Sequence, residues 1–211
     1  TSLREAEGIE SKRELVINDG YIIVEAYDDC INAATSIIIN GGEIYCYSAA
    51  NDGIDSNGTL TITGGTVIAI GTSSPEDGFD CDQNTFKITG GTIIGVGGGT
   101  STPTSKECTQ PSLVYGGRGT QNTLFHISAA DGTDVLTFNI PRTLQQMTLL
   151  FSSSSLASGA SYTLQTGGTA TGGTDFYGLY TGATYSGGTQ AATFTTSSMV
   201  TTLGFVSGGI G

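Results

Sequence analysis

The residues with most chemistry to offer are side-chain oxygens set at a regular spacing. A short acidic motif occurs four times, as AEGIESK (residues 6–12), DDCINAA (28–34), NDGIDSN (51–57) and EDGFDCD (76–82). Aligned on their second residues, Glu7, Asp29, Asp52 and Asp77, the copies lie 22, 23 and 25 residues apart. Three positions later stand Glu10, Asn32, Asp55 and Asp80. One position earlier stand Asp28, Asn51 and Glu76, and Asp82 closes the last copy, just beyond Asp80. These twelve residues offer only carboxylates and amides, and no file of His or Cys accompanies them. All-oxygen donors with several carboxylates suit calcium better than magnesium or zinc. They are the candidate metal ligands.

The spacing says what must position them. A fixed period in the twenties, carrying the same motif each time, marks a solenoid. In a parallel solenoid equivalent residues stack, so the acids fall into files. Like charges directly opposite one another on neighbouring strands are destabilising. At ~5 Å and an effective dielectric near 20, each adjacent pair costs about 3 kcal/mol before screening. Lys12 is the one base inside the motif copies. Two readings remain open on the residues alone. One is a solvated acidic ridge built from good turn formers; the other is a ladder of cations held between coils.

A second landmark repeats in phase with the first. LVINDG, IIINGG, LTITGG and FKITGG align on Ile17, Ile39, Ile62 and Ile88. Each precedes an apolar run: YIIVEA, EIYCYS, TVIAIG and TIIGVG. The Asp-Gly and Gly-Gly pairs are turn chemistry that tolerates positive φ. Each coil therefore reads as strand, glycine turn, strand, acidic corner. Residues two apart share a strand face. Leu15, Ile37, Leu60 and Phe86 thus stack beside the Ile17 file as two inner columns. Ile22, Ile44, Val67 and Ile93 make a third, and Val24, Cys46, Ala69 and Gly95 a fourth that tapers in size. The second strand is apolar on its other face too, at Ile23, Tyr45, Tyr47, Ile68, Ile70, Ile94 and Val96. Strands apolar on both faces are covered on both. The rest of the chain is expected to pack there, in preference to an exposed sugar-stacking platform at Tyr45 and Tyr47.

Composition narrows the class. The chain has 211 residues, 19 acids against 7 bases, and a net charge of −12. Such a balance offers no cationic stripe for phosphate and excludes nucleic acid as a partner. No apolar run reaches the ~20 residues of a transmembrane helix, and no signal peptide is seen. Sixteen of the 19 acids lie at or before Glu107, leaving Asp131, Asp134 and Asp175 in a Thr/Ser/Gly-rich remainder. The expected division is 1–117 for the coils and 118–211 for an irregular β region that packs on or caps them. SLVYGG (112–117) is expected to open a fifth coil, aligned by its Gly pair. TLFHIS, VLTFNIP, MTLLFSS, SYTLQTGG, TDFYGLYTG, AATFTT and MVTTLGFV read as further short strands. Cys81 and Cys108 are 27 residues apart, close to one period, so they could face each other as a disulfide. Cys46 reads as a small buried residue.

The four motif copies, each with its downstream I-[NT]-[DG]-G, resemble a bacterial carbohydrate-binding β-helix family with a polygalacturonate-binding member. Later pieces DGTDVLTFNIP and LLFSSSSLASGASYTLQTGG extend the resemblance. It implies an all-β fold like that of the pectate lyases, a right-handed parallel β-helix with coils of 22–26 residues and calcium along it. It further implies a secreted or cell-surface protein and an acidic, uronate-containing polysaccharide as partner. Cys30 replaces Gly, Asn32 replaces an acid, and Glu7 and Glu10 replace Asp. Three functions fit. The first is calcium-dependent, non-catalytic carbohydrate binding. The second is a calcium-stabilised adhesive or structural module. The third is a pectate-lyase-like enzyme, whose base would be Arg118, Lys87 or Arg142. His126 reads as structural.

Overall fold

A computed structural model describes residues 6–205. Residues 1–5 and 206–211, including Val206 of MVTTLGFV, lie outside it. The protein is all-β, with stacked parallel coils forming a β-solenoid of about four turns. Each coil has three strands. The first holds β1 (Ile9–Ser11), β2 (Glu14–Ile17) and β3 (Tyr21–Ala26). The second holds β4 (Ile31–Ala33), β5 (Ser36–Ile39) and β6 (Glu43–Ser48). The third holds β7 (Ile54–Ser56), β8 (Thr59–Ile62) and β9 (Thr66–Ile70). The fourth holds β10 (Phe79–Asp80), β11 (Phe86–Ile88) and β12 (Thr92–Gly97).

The acidic corner was expected to be a loop between two strands and is itself a strand. Sheet one is β1-β4-β7-β10, sheet two β2-β5-β8-β11, and sheet three contains β3-β6-β9-β12. The reason is a fifth inner column, Ile31, Ile54 and Phe79, in register along sheet one, with Ile9 continuing it to the exposed first coil. Burying it anchors the corner and gives its backbone a ladder. All five columns feed one core in which Ile31, Ile37, Ile39, Ile54, Leu60, Ile62 and Phe79 are fully buried. The taper from Val24 to Gly95 is also explained here. A Cβ on Gly95 would lie 2.6 Å from the Phe79 ring, so the larger corner residue takes the space that the smaller one leaves. The turns between sheets two and three place Gly20, Gly42, Gly65 and Gly91 at φ of 127°, 99°, 88° and 89°, where glycine is favoured.

The remainder of the chain caps and flanks the coils. Residues 99–110 run over the fourth coil, with Ser101, Thr104 and Thr109 donating backbone N–H groups to Phe79, Phe86 and Ile88. Then come β13 (Ser112–Gly119), β14 (Leu124–Ala129), β15 (Asp134–Asn139), β16 (Leu144–Ser152) and β17 (Ser161–Thr166). They are followed by β18 (Thr169–Thr171), β19 (Thr174–Phe176), β20 (Leu179–Thr181), β21 (Thr184–Ser186), β22 (Thr189–Thr195) and β23 (Val200–Gly204). SLVYGG does not repeat the earlier Gly turn. It lies inside β13, which is separated from β12 by β16, so sheet three continues as β12-β16-β13-β23 with both β16 pairings antiparallel. Gly116 and Gly117 sit within the ladder, where Gly117 makes room for the Tyr115 ring.

A second sheet, β19-β20-β15-β14-β17-β22, lies over the outer face of sheet three. Tyr45, Ile68, Ile70, Ile94 and Val96 pack there with Phe125, Ile127, Phe138, Leu149 and Leu164. The two-faced apolar pattern of the second strand is thus covered as expected. Tyr45 is buried and stacked on Tyr177 at 4.2 Å. Arg142 pins the seam, donating to the carbonyls of Ser48 (2.7 Å), Gly71 (2.9 Å) and Ala49 (3.4 Å). Its guanidinium also lies 4.9 Å from the Tyr47 ring centre.

Candidate functional site: the acidic edge

The acidic files form one edge of the solenoid, between the ends of sheet three and sheet one. Glu10 pairs with Asn32, Asn32 with Asp55, and Asp55 with Asp80 along sheet one. The Asp29, Asp52 and Asp77 file is tied differently. Each carboxylate accepts the backbone N–H of its counterpart in the next coil: Asp52 N–H to Asp29 Oδ1 at 3.1 Å, and Asp77 N–H to Asp52 Oδ1 at 2.5 Å. The rule ends at Asp77, because Gly99 above it donates instead to the Glu76 carbonyl. Asp77 Oδ1 is therefore buried without a hydrogen-bond partner.

Burial separates the candidates. Asp29, Asp52 and Asp77 are only 5%, 7% and 5% exposed, which is rare for acids without a base beside them. Carboxylate oxygens of Asp29, Asp52 and Asp55 all lie within 4.8 Å of one another. Asn32 sits among them, donating Nδ2 to Asp55 at 2.6 Å and to Asp29 at 3.2 Å. In the outermost file Asn51 donates to Asp28. Glu76 and Glu7 are half-buried. Asp80 accepts from Ser101 Oγ at 3.1 Å and from the Asp82 N–H at 2.8 Å. Glu10 and Asp82 are exposed, and Glu10 pairs with Lys12. The twelve candidates thus resolve into a central group, the buried Asp29, Asp52 and Asp77 with the half-buried Asp55 and Asn32 that bridge them, and a periphery that runs from half-buried to exposed.

The electrostatics follow from this placement. Burial, then the charges of Asp29, Asp80 and Asp77, pushes Asp52 up to about 9, against the lowering by its hydrogen bond from Asp77. Burial and Asp29, Asp80 and Asp82 raise Asp55 to about 7. Burial, Asp80 and Glu76 raise Asp77 to about 7. Asp29, Glu7 and Glu76 are also raised, burial leading in each. A cluster of acids held away from water resists being charged unless a cation joins it. The converging oxygens of Asp29, Asp52 and Asp55, with the neighbouring Asp77 and, by amide rotation, Asn32 Oδ1, make an all-oxygen donor set of the kind that suits a hard cation.

One sequence reading changes, the pairing of the cysteines. Gly53 and Gly78 allow close contact between coils. A Cβ on Gly53 would fall 2.7 Å from both Gly78 O and Ile70 N, and one on Gly78 2.6 Å from Val96 N. Cys81 and Cys108 do not pair, and all four cysteines are free thiols. The step from the fourth coil shortens, so Ser101 lies above Cys81 and donates to Asp80, whereas Cys108 lies over Phe86 and Ile88. Cys46 is instead beside Cys30, and both are fully buried.

The basic candidates are placed elsewhere. Arg142 is committed to carbonyls, Lys87 stands opposite Thr61 in sheet two, and Arg118 lies at the far end of β13. His126 is buried in the second sheet, hydrogen-bonded to Thr137 at 2.9 Å and stacked on Tyr185 at 3.7 Å. The orphaned Asp77 oxygen and the Asn32 bridge carried no signal in the sequence, since both depend on where the coil stack ends and how an amide turns. Among the described residues, no helix is long and apolar enough to cross a membrane.

The family model described as "Carbohydrate-binding domain-containing protein" matches residues 3–171. The match spans all four coils and continues through β18. No curated protein and no solved structure matches the chain.

Proposed function

We propose that this chain, which belongs to the family of carbohydrate-binding domain-containing proteins, binds an acidic, uronate-containing polysaccharide through calcium held on its acidic edge. Family membership supports the carbohydrate. The observation that carries the metal is the convergence of Asp29, Asp52 and Asp55 oxygens within 4.8 Å, continued by the unpartnered Asp77 Oδ1. Asp29, Asp52, Asp55 and Asp77 would hold the ion, with Asp28, Asn51, Glu76 and Asp80 flanking it. Bound calcium supplies coordination positions that a uronate carboxylate can enter, because the ion takes ~6–8 oxygens. The chain's own role is to fix the oxygens in files and to expose the outer one to solvent. Without cations, an edge this acidic repels a polyuronate. The weaker calcium sites of extracellular modules suit a secreted or cell-surface setting.

Affinity electrophoresis in gels containing polygalacturonate tests the reading. Retardation in calcium, abolished by EDTA and by Asp52→Asn, is expected. Equal mobility with and without polygalacturonate, in calcium, rejects it. A rise in unsaturated uronide absorbance, lost in Arg118→Ala, would instead establish the lyase alternative.

A further inference from the structure

The seam between the solenoid and the second sheet holds a feature that the acidic edge does not use. An open cavity of about 590 Å³ runs along it. One wall is Thr66 and Thr92, members of the file that begins the strands of sheet three and that Glu43 and Tyr21 continue in register towards the first coil. These positions lie on the same strand face as Ile23, Tyr45, Ile68 and Ile94, which pack against the second sheet. The other wall comes from β15, β20 and the loop after β16, with Thr137, Ser154, Tyr180 and Thr181 lining the space. The β19–β20 hairpin extends this wall to the first coil, where Phe176 meets Tyr21 edge-on at 5.9 Å. Tyr21 is 65% and Tyr177 40% exposed, so the hairpin end presents free aromatic surface.

We infer that this seam is a second carbohydrate site, separate from the acidic edge, which takes a neutral glycan chain without calcium. Hydroxyl donors and acceptors on both walls match the hydroxyl groups of a sugar, and an aromatic end offers a flat apolar face with a polar rim. From Tyr21 to Thr92 the file spans three coil steps of ~4.8 Å, about 14 Å, long enough for several linked rings. Charge selects the ligand. Asp134 lines the cavity and no Lys or Arg does, so a uronate is repelled and a neutral chain is not. The inference rests on family membership and on the seam, and is independent of calcium.

Calorimetry in EDTA with cellohexaose, xylohexaose, mannohexaose and β-1,4-galactohexaose tests it. At least one hexaose is expected to bind. Tyr180→Ala and Thr66→Trp, on opposite walls, should each weaken it at least about tenfold, equivalent to 1.4 kcal/mol. Tyr21→Ala, at an exposed position, should weaken the hexaose more than the matching disaccharide, because the ring lies at the end of the file. No heat with any of the four sugars overturns the proposal, as does binding that Tyr180→Ala, Thr66→Trp and Tyr21→Ala all leave unchanged. Absence of polygalacturonate binding in calcium, with the hexaose still bound in EDTA, overturns the calcium reading and leaves this one standing.

Discussion

The solenoid edge and the sheet that flanks it solve opposite electrostatic problems. The edge buries acids beside acids, and Asp52, Asp55 and Asp77 are all pushed towards neutrality. The flanking sheet buries one His126 and pushes it the other way, since burial lowers its pKa against the raising effect of Asp134. One region resists negative charge and the other positive charge. Yet β16 couples them: in sheet three it lies between β12 and β13, with Leu150 in the solenoid core and Leu149 and Phe151 in the core beneath the flanking sheet. Chemistry separates the two regions and the packing of one strand unites them.

The largest expected effect tests that union. Phe138 is fully buried in the flanking sheet and Ile39 in the solenoid core. Phe138→Ala and Ile39→Ala should each destabilise by about 2–5 kcal/mol. Both should shift a single unfolding transition, because β16 couples the two cores. Two resolved calorimetric peaks, only one moving per variant, would break the comparison at its root. Arg142→Ala removes a charged donor from three carbonyls across the seam and should lower stability by about 1–3 kcal/mol. Unchanged denaturant midpoints would show that these hydrogen bonds hold nothing.

The pH dependence sharpens the contrast. In metal-free protein the edge acids have folded pKa values above their unfolded ones. Their stabilising contribution is present below about pH 4 and is lost as pH rises through about 7, for Asp55 and Asp77, and about 9, for Asp52. His126 has the opposite sign. Its contribution is present above its unfolded value, near 6.5, and is lost as pH falls. Melting in EDTA should therefore fall from pH 5 to 9, and Asp52→Asn should flatten that fall, whereas His126→Gln should relieve only the acid side. A metal-free melting curve that rises steadily to pH 9 would contradict the buried-acid account.

The two regions also differ in how far they could be read from sequence. Periodicity exposed the solenoid because each coil repeats its neighbour: the Ile17, Ile39, Ile62 and Ile88 file, and the pairing of Asn32 with Asp55 and Asp80 with Asp55, follow from spacing alone. Only the corner strand escaped, because Ile9, Ile31, Ile54 and Phe79 are single apolar residues among polar ones. The flanking sheet has no period. Its order depends on long-range pairings such as β14 with β17, and a Gly pair in β13 that looks like a turn is held flat by β16. The same loss of phase misplaced Cys108 relative to Cys81. The acidic set was legible as a list, while its division into buried and solvated members needed the burial of Asp29, Asp52 and Asp77.

Thermal unfolding in calcium and in EDTA tests the central claim most directly, on the wild-type chain and on Asp52→Asn. At a hundredfold excess over its dissociation constant, one bound ion contributes about 2.7 kcal/mol. That is a rise of about 5–10 °C for a chain of this size. The wild type should show that rise in calcium and Asp52→Asn should lose it while melting at least as high in EDTA. A wild-type midpoint that calcium leaves unmoved would contradict the account.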